Sequence, residues 1–332
     1  MRRFPYEEIS FSASGWLYIF QLGVLHYLQQ HFDMKHVKVY GTSGGAIVGC
    51  SLCCNYNNLQ LASEVIKAKQ IQSDNFRKMI EIAHNGCDRI CPNDAHKMCN
   101  KRLTIFCSEI YKGVLLKSIN YNSYNKRNDI VNVLKATSCL PFFNGRMSYL
   151  YDNKWLIDGV FTCPHYNNKN DNCLMVSHRR NCRCGCYKSP KRTIMPEFDI
   201  PRRFSIFPVS EEFLKLLFYH GYTVAVKHFK QYHYETMNIN NNVNVLNLIS
   251  QTSFDSINHD HLSIIVKNSG KIRKKLQQII QDSEEQFYDT IRAPIKYAVV
   301  SVYICIFIAF VMLMNILLEV LEFIAHIVLI RY

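Results

Sequence analysis

Residues 41–45 read Gly41-Thr42-Ser43-Gly44-Gly45, a G-x-S-x-G run whose glycines permit a turn too sharp for ordinary side chains on either side of the serine. Acyl transfer is the chemistry that spacing serves. Val37-Lys38-Val39-Tyr40 ahead of it reads as a strand, and AIVGCSLCC behind it, with small residues Ala46, Gly49 and Cys50, reads as a closely packed helix. Strand, turn and helix in that order present the Ser43 hydroxyl at a helix N-terminus, where backbone N–H groups face the charge that develops on an attacked carbonyl.

A serine hydroxyl is a weak nucleophile until a neighbouring base takes its proton. One option is a triad in the order Ser, then Asp or Glu, then His, but several strands normally precede such an elbow and only one strand-helix unit precedes Ser43. Of thirteen histidines, His165 is the first after Asp158, and its HYNNKND surroundings read as a polar surface loop. The other option is a carboxylate acting directly on the serine. Asp158 follows the strand Trp155-Leu156-Ile157 and precedes Gly159, a position suited to aim a side chain across the top of a parallel sheet.

The elements that must position these residues follow from periodicity. Ile9-Ser10-Phe11 is a short strand, Ser12 to Gly15 break it, and Leu17, Phe20, Val24, Leu25 and Leu28 recur at helical spacing. Strands alternating with helices predict an α/β fold with a mostly parallel central sheet covered on both faces. Residues 55–135 read as polar outer helices, and 211–231 as an amphipathic closing helix.

FSASGWLYIFQLGVL, VYGTSGGAIVG and WLIDGVF, in this order, resemble the patatin-like phospholipases, and within them the animal adiponutrin-like branch. The stretch TSCLPFF (Thr137 to Phe143) and the helix through Gly221-Tyr222 are also similar to that family. The resemblance covers roughly 6–231. It implies a three-layer αβα patatin-like fold, with Ser43 as nucleophile and Asp158 as general base of a Ser-Asp dyad. The implied reaction is hydrolysis of a fatty-acyl ester of a phospholipid or acylglycerol, in a membrane or lipid droplet, with no cofactor. The family's glycine-rich oxyanion loop falls on Ala13, Ser14 and Gly15, with Gly44 as a further donor and Gly41, Gly45 and Gly159 as motif glycines. Here the sequence departs from the family, with two glycines missing from the loop, Tyr18 where Gly usually closes it and Val160 where Gly or Ala usually follows. A side chain at 13 or 14 is tolerable only where the backbone avoids positive φ. A catalytically silent member that keeps the fold as a lipid-binding or interaction module is the alternative, and retention of both Ser43 and Asp158 argues against it.

Lys and Arg total 39 against 26 Asp and Glu, a net charge of +13 over 332 residues, which predicts attraction to anionic surfaces. Tyr297 to Leu318 carries no charge over 22 residues, enough to cross a hydrocarbon core of about 30 Å. The segment predicts a single C-terminal transmembrane helix, 297–318, extending at most to 330. Arg292, Lys296 and the basic residues 271–275 precede it, which predicts a catalytic domain on the cytoplasmic side and docking to anionic lipid headgroups. The basic stretch 179–203 is a candidate membrane-facing loop, and 232–296 reads as a polar, basic linker. No nucleic-acid-binding pattern accompanies the charge. Fourteen cysteines in a cytosolic body are expected as thiols. Cys87, Cys91, His96 and Cys99, and Cys173 with Cys182, Cys184 and Cys186, are close in sequence, but neither set has paired CxxC spacing and no metal is expected.

Overall fold

The computed structural model describes residues 1–71, 76–112, 115–141, 146–162, 172–179, 190–207, 210–233, 245–251 and 257–291. The chain runs through β1 (Arg2–Arg3), β2 (Glu8–Phe11), α1 (Tyr18–His31), β3 (Phe32–Asp33), β4 (Lys38–Thr42), α2 (Gly44–Cys53), α3 (Asn58–Ile71), α4 (Phe76–Ile90) and α5 (Ala95–Cys99). It continues through β5 (Leu103–Tyr111), β6 (Leu115–Tyr121), α6 (Arg127–Thr137), β7 (Tyr149–Tyr151), β8 (Lys154–Asp158), β9 (Cys173–Val176), β10 (Thr193–Ile194) and α7 (Glu211–His233). The helices α8 (Val245–Gln251), α9 (His259–Lys267) and α10 (Ser269–Ile291) follow.

The main sheet has eight strands in the order β10-β9-β2-β4-β5-β8-β7, with β6 also on β5. From β10 to β5 every neighbour is parallel, while β5–β6, β5–β8 and β7–β8 are antiparallel. The expected parallel sheet therefore describes the half that carries Ser43. The other half is built from hairpins, and a short connection can join only antiparallel strands. In one of them Asp152 and Asn153 turn with φ of 52° and 55°, matching the twist of the strands they join. Strand β2 is buried at all four positions, as a strand covered on both faces must be, and the polar Glu8 and Ser10 that alternate with Ile9 and Phe11 are buried with them.

Strand β5 corrects the reading of 55–135 as outer helices. It is nine residues long and lies beside β4 in the sheet. Its first half is buried on both faces, so the period-2 signal of a half-exposed strand never arises.

The helices α1 and α7 cross at two glycines. A Cβ on Gly23 would stand 1.9 Å from the Phe218 carbonyl oxygen, and one on Gly221 would stand 2.1 Å from that of Phe20. The two backbones are in contact, and Tyr27, Tyr222 and Phe229 pack in the crossing. Gly221→Ala should cost about 1–3 kcal/mol or more by overpacking, read as a fall in the urea midpoint with an unchanged slope.

Two further expectations change. Within 179–203, Thr193 and Ile194 form the parallel edge strand β10, and Ile194, Phe198 and Ile200 are buried, so the apolar side chains draw this part into the core. Residues 180–189 lie outside the described residues. Within 232–296, the helices α8 to α10 dock on α7 through buried Ile249, Leu262, Ile265, Ile272 and Leu276. Two of the basic side chains in 271–275 stand near carboxylates, Arg273 with Glu197 at 3.7 Å and Lys275 with Glu212 at 3.8 Å. Among the described residues no helix is long and apolar enough to cross a membrane. The expected span 297–318 lies outside them.

Candidate active site

Ser43 stands between β4 and α2 with φ 52° and ψ −129°, a conformation that L side chains rarely adopt and that costs of order 1–3 kcal/mol. The glycines around it let the elbow sink into the sheet. A Cβ on Gly41 would stand 2.6 Å from the Ala46 Cα, and one on Gly45 would stand 2.4 Å from the Phe11 and Ser12 carbonyl oxygens. The α2 backbone thus lies directly on the end of β2. Thr137, the last residue of α6, holds the tip from the other side: its Oγ1 accepts the Ser43 N–H at 2.9 Å and donates to the Phe106 carbonyl. The Ser43 N–H is therefore committed to the scaffold.

Asp158 ends β8, the strand antiparallel to β5. The Ser43 hydroxyl donates to its Oδ2 at 2.7 Å, and the Val160 N–H donates to its Oδ1 at 2.8 Å. Backbone bonds fix the residue as tightly, since its N–H donates to the Cys139 carbonyl at 2.8 Å and its carbonyl accepts from Ser108 Oγ at 2.9 Å. Gly159 permits the approach, because a Cβ there would stand 2.3 Å from the Phe106 carbonyl oxygen. Asp158 is only 2% exposed and Ser43 7%. Burial pushes the Asp158 carboxyl up from 3.8 to about 7, against the opposing hydrogen bonds from Ser43 and Val160. A carboxylate of that basicity is matched to proton transfer near neutral pH. Among the described residues no histidine hydrogen-bonds to either side chain, and His165 lies outside them.

Ala13, Ser14 and Gly15 join β2 to α1 and lie beside the elbow. A Cβ on Gly44 would stand 2.7 Å from the Gly15 carbonyl oxygen, 3.0 Å from Ser14 Oγ and 3.2 Å from the Tyr18 Cβ. Of the three loop residues only Gly15 has positive φ, at 50°, so side chains at 13 and 14 need no strained backbone. The loop is anchored from α1 by Gln21, fully buried, whose Nε2 donates to the Ser12 carbonyl at 2.9 Å and to Ser12 Oγ. Gln21 and Thr137 are supports that motif reading passes over. The signal for Gln21 was a polar side chain inside the otherwise apolar run from Ile19 to Leu25; Thr137 had only its place in TSCLPFF.

Comparisons with known proteins bear on the family and the fold. Residues 9–165 match the family model of the patatin-like phospholipases. Over that segment, just under half of the chain, it is similar to the patatin-like phospholipases. Over 166 residues it is 26% identical to the human patatin-like phospholipase domain-containing protein 4, covering 47% of this chain and 64% of that one. It is 23% identical over 254 residues to the mouse omega-hydroxyceramide transacylase, covering 68% of this chain and 41% of that one. The chain thus spans less than two thirds of the length of these curated relatives. Among solved structures, VipD from Legionella pneumophila aligns over 69% of this chain and 67% of that one at 9% identity, with a TM-score of 0.38. The architecture is a patatin-like α/β fold, a central sheet with helices packed on it.

Proposed function

We infer that this chain is a lipid acyl hydrolase that cleaves fatty-acyl esters through a covalent acyl-enzyme on Ser43. The observation that carries the reading is the 2.7 Å hydrogen bond from Ser43 Oγ to the buried Asp158 carboxylate. Asp158 takes the hydroxyl proton as Ser43 Oγ bonds to the ester carbonyl carbon, and passes it to the leaving alkoxide as the acyl–oxygen bond breaks. A water, deprotonated by the same carboxylate, then displaces the fatty acid and restores the serine. A silent descendant would have no need to keep a strained serine on an ionisable group that burial makes costly.

The oxyanion is received by the first turn of α2, where the Gly44 N–H has no helical partner, and by the loop of Ala13, Ser14 and Gly15. Ser14 supplies more than backbone. Its Oγ is buried without a hydrogen-bond partner and faces Gly44, so it serves as a side-chain donor where the family's glycines are absent. Ser14→Ala should lower kcat about 10²–10³-fold with KM little changed, measured on a chromogenic short-chain ester.

A lipid substrate is supported by the surroundings. A small cleft lined by Trp16, Tyr18, Ile47, Leu61 and Val65, with the Glu64–Arg89 ion pair at its rim, opens beside the oxyanion loop and the α2 face one turn below Ser43, and an acyl chain entering there would have to widen it. Phe161, 50% exposed, and Phe207, 54% exposed, stand on the turns after Asp158 and after Ser205, which abuts Gly15. Exposed aromatic side chains at a site mouth suit entry of that mouth into a lipid surface. The net charge of +13 and the apolar segment 297–318 support a membrane-anchored enzyme with its catalytic domain cytoplasmic. The full chain, incubated with labelled phosphatidylcholine, triacylglycerol and lysolipid, should release fatty acid from at least one. Folded protein that releases none from any of them sinks the hydrolase reading.

A further inference from the structure

The fold joins Cys91 and Cys99 of the first sequence cluster to Cys50 and Cys54, which lie outside it. Cys50 and Cys54 lie one turn apart on and just past α2, Cys91 follows α4 directly, and Cys99 ends α5. All four are buried. The Sγ atoms form a continuous chain, Cys91 to Cys50 at 3.6 Å, Cys50 to Cys54 at 3.9 Å and Cys54 to Cys99 at 3.8 Å. Those of Cys50, Cys54 and Cys99 lie within 4.8 Å of one another. Sulfurs bound tetrahedrally to zinc at about 2.3 Å stand about 3.8 Å apart; the three linked pairs have that spacing, while Cys91 Sγ is outside the group whose sulfurs all lie within 4.8 Å of one another and would close in on Cys54 and Cys99 as metal binds. Two isolated disulfide partners would each have one sulfur neighbour, whereas Cys50 and Cys54 each have two.

The charge around the cluster is the second observation. Arg102 donates to the carbonyls of Cys53, Val37 and Met34 at 3.2, 3.3 and 2.9 Å, and no carboxylate pairs with it among the described residues. Arg127 donates to the Cys91 carbonyl at 2.7 Å and also reaches Asp88. Two guanidinium groups thus bond to the backbone beside ligand positions. Neutral thiols need no such cations, but a zinc held by four thiolates carries a net charge of −2, part of which Arg102 offsets.

We propose that Cys50, Cys54, Cys91 and Cys99 bind a structural zinc ion, or a thiophilic d¹⁰ cation of the same class. The four thiols release four protons to solvent as the metal binds, and nothing is oxidised. The ligand set is closed, and Cys50 lies seven residues along α2 from Ser43, roughly 10 Å at 1.5 Å per residue. The metal's work is to tie the far end of the elbow helix to the α4–α5 segment. The proposal stands independently of the hydrolase reading.

The full chain, purified under reductant without chelator, should contain one equivalent of zinc by plasma mass spectrometry. Exchange with cobalt(II) should give the intense visible absorption of a tetrahedral cobalt thiolate. Cys54→Ser with Cys99→Ser should reduce the bound metal at least tenfold, while Cys139→Ser, buried outside the cluster, retains it. Cys182→Ser with Cys184→Ser and Cys186→Ser should also retain it, which separates this site from the second cysteine cluster. Wild-type protein without stoichiometric metal, or a disulfide joining any two of the four in peptide mapping, overturns the proposal whatever the variants do. Retention of full metal by the Cys54, Cys99 double variant overturns it as well.

Discussion

Ser43→Ala should reduce fatty-acid release to background and abolish labelling by a fluorophosphonate probe, and Asp158→Asn should do nearly the same. Losing the nucleophile removes the acyl-enzyme route, a fall of about 10⁴-fold or more. Losing the base leaves the hydroxyl in place with nothing to take its proton, about 10²–10⁴-fold. The two effects should not add, because Ser43 Oγ and Asp158 Oδ2, 2.7 Å apart, act as one unit. A double variant should be no slower than Ser43→Ala. Retained labelling in Asp158→Asn, with loss in a histidine variant such as His165→Ala, would mean that the base is elsewhere.

The second expected result is a pH dependence with opposite signs for activity and stability. Burial lifts the Asp158 carboxyl to about 7, and only the carboxylate can accept the serine proton. kcat/KM should therefore rise tenfold per pH unit up to about 7 and then level, so that at pH 5 about one hundredth of the plateau remains. Stability runs the other way. The folded group holds its proton more tightly than the unfolded one, whose value is 3.8, so the native state binds more protons between those limits. Its stability is fully present below about 4 and is lost as pH rises to about 7, by up to about 4 kcal/mol. Asp158→Asn lacks that loss. In urea titrations the variant should gain on the wild type as pH rises from 4 to 8, and a gap that does not widen contradicts a buried, ionising Asp158.

Strain at Ser43 predicts a smaller effect of the same kind. Ser43→Gly relieves φ 52° and should raise stability by about 1 kcal/mol while eliminating turnover. Gain of stability on loss of the nucleophile is the expected trade at a site held by its surroundings.

Ser43 and Asp158 were legible in the chain because each sits where local rules overlap. Glycines flank a serine between a strand and a helix, and Asp-Gly closes a strand, so a few adjacent residues carried the whole signal. The strands β2, β4 and β8, the helix α1 and the closing helix α7 were legible for the same reason, since each is a local pattern of apolar spacing. Strand β5 was not, because burial on both faces of its first half removes the alternation that marks a strand. The helices α8 to α10 were not, because their buried residues are few and spread among polar ones, and only contact with α7 makes them a face.

What the sequence determined by itself is the chemistry available: a serine on an elbow, a carboxylate at a strand end and a loop with glycine only at 15. The tertiary structure decided how those residues meet. The order of strands β4, β5 and β8 brings Asp158 to Ser43 across 115 residues of chain, Thr137 and Gln21 become supports only once packed, and Cys50 and Cys54 join Cys91 and Cys99 only because α2 lies against α4 and α5. The physical reason is range. Turn and helix signals act over three or four residues, whereas proton transfer and metal ligation need atoms placed to tenths of an ångström by contacts that close loops of dozens.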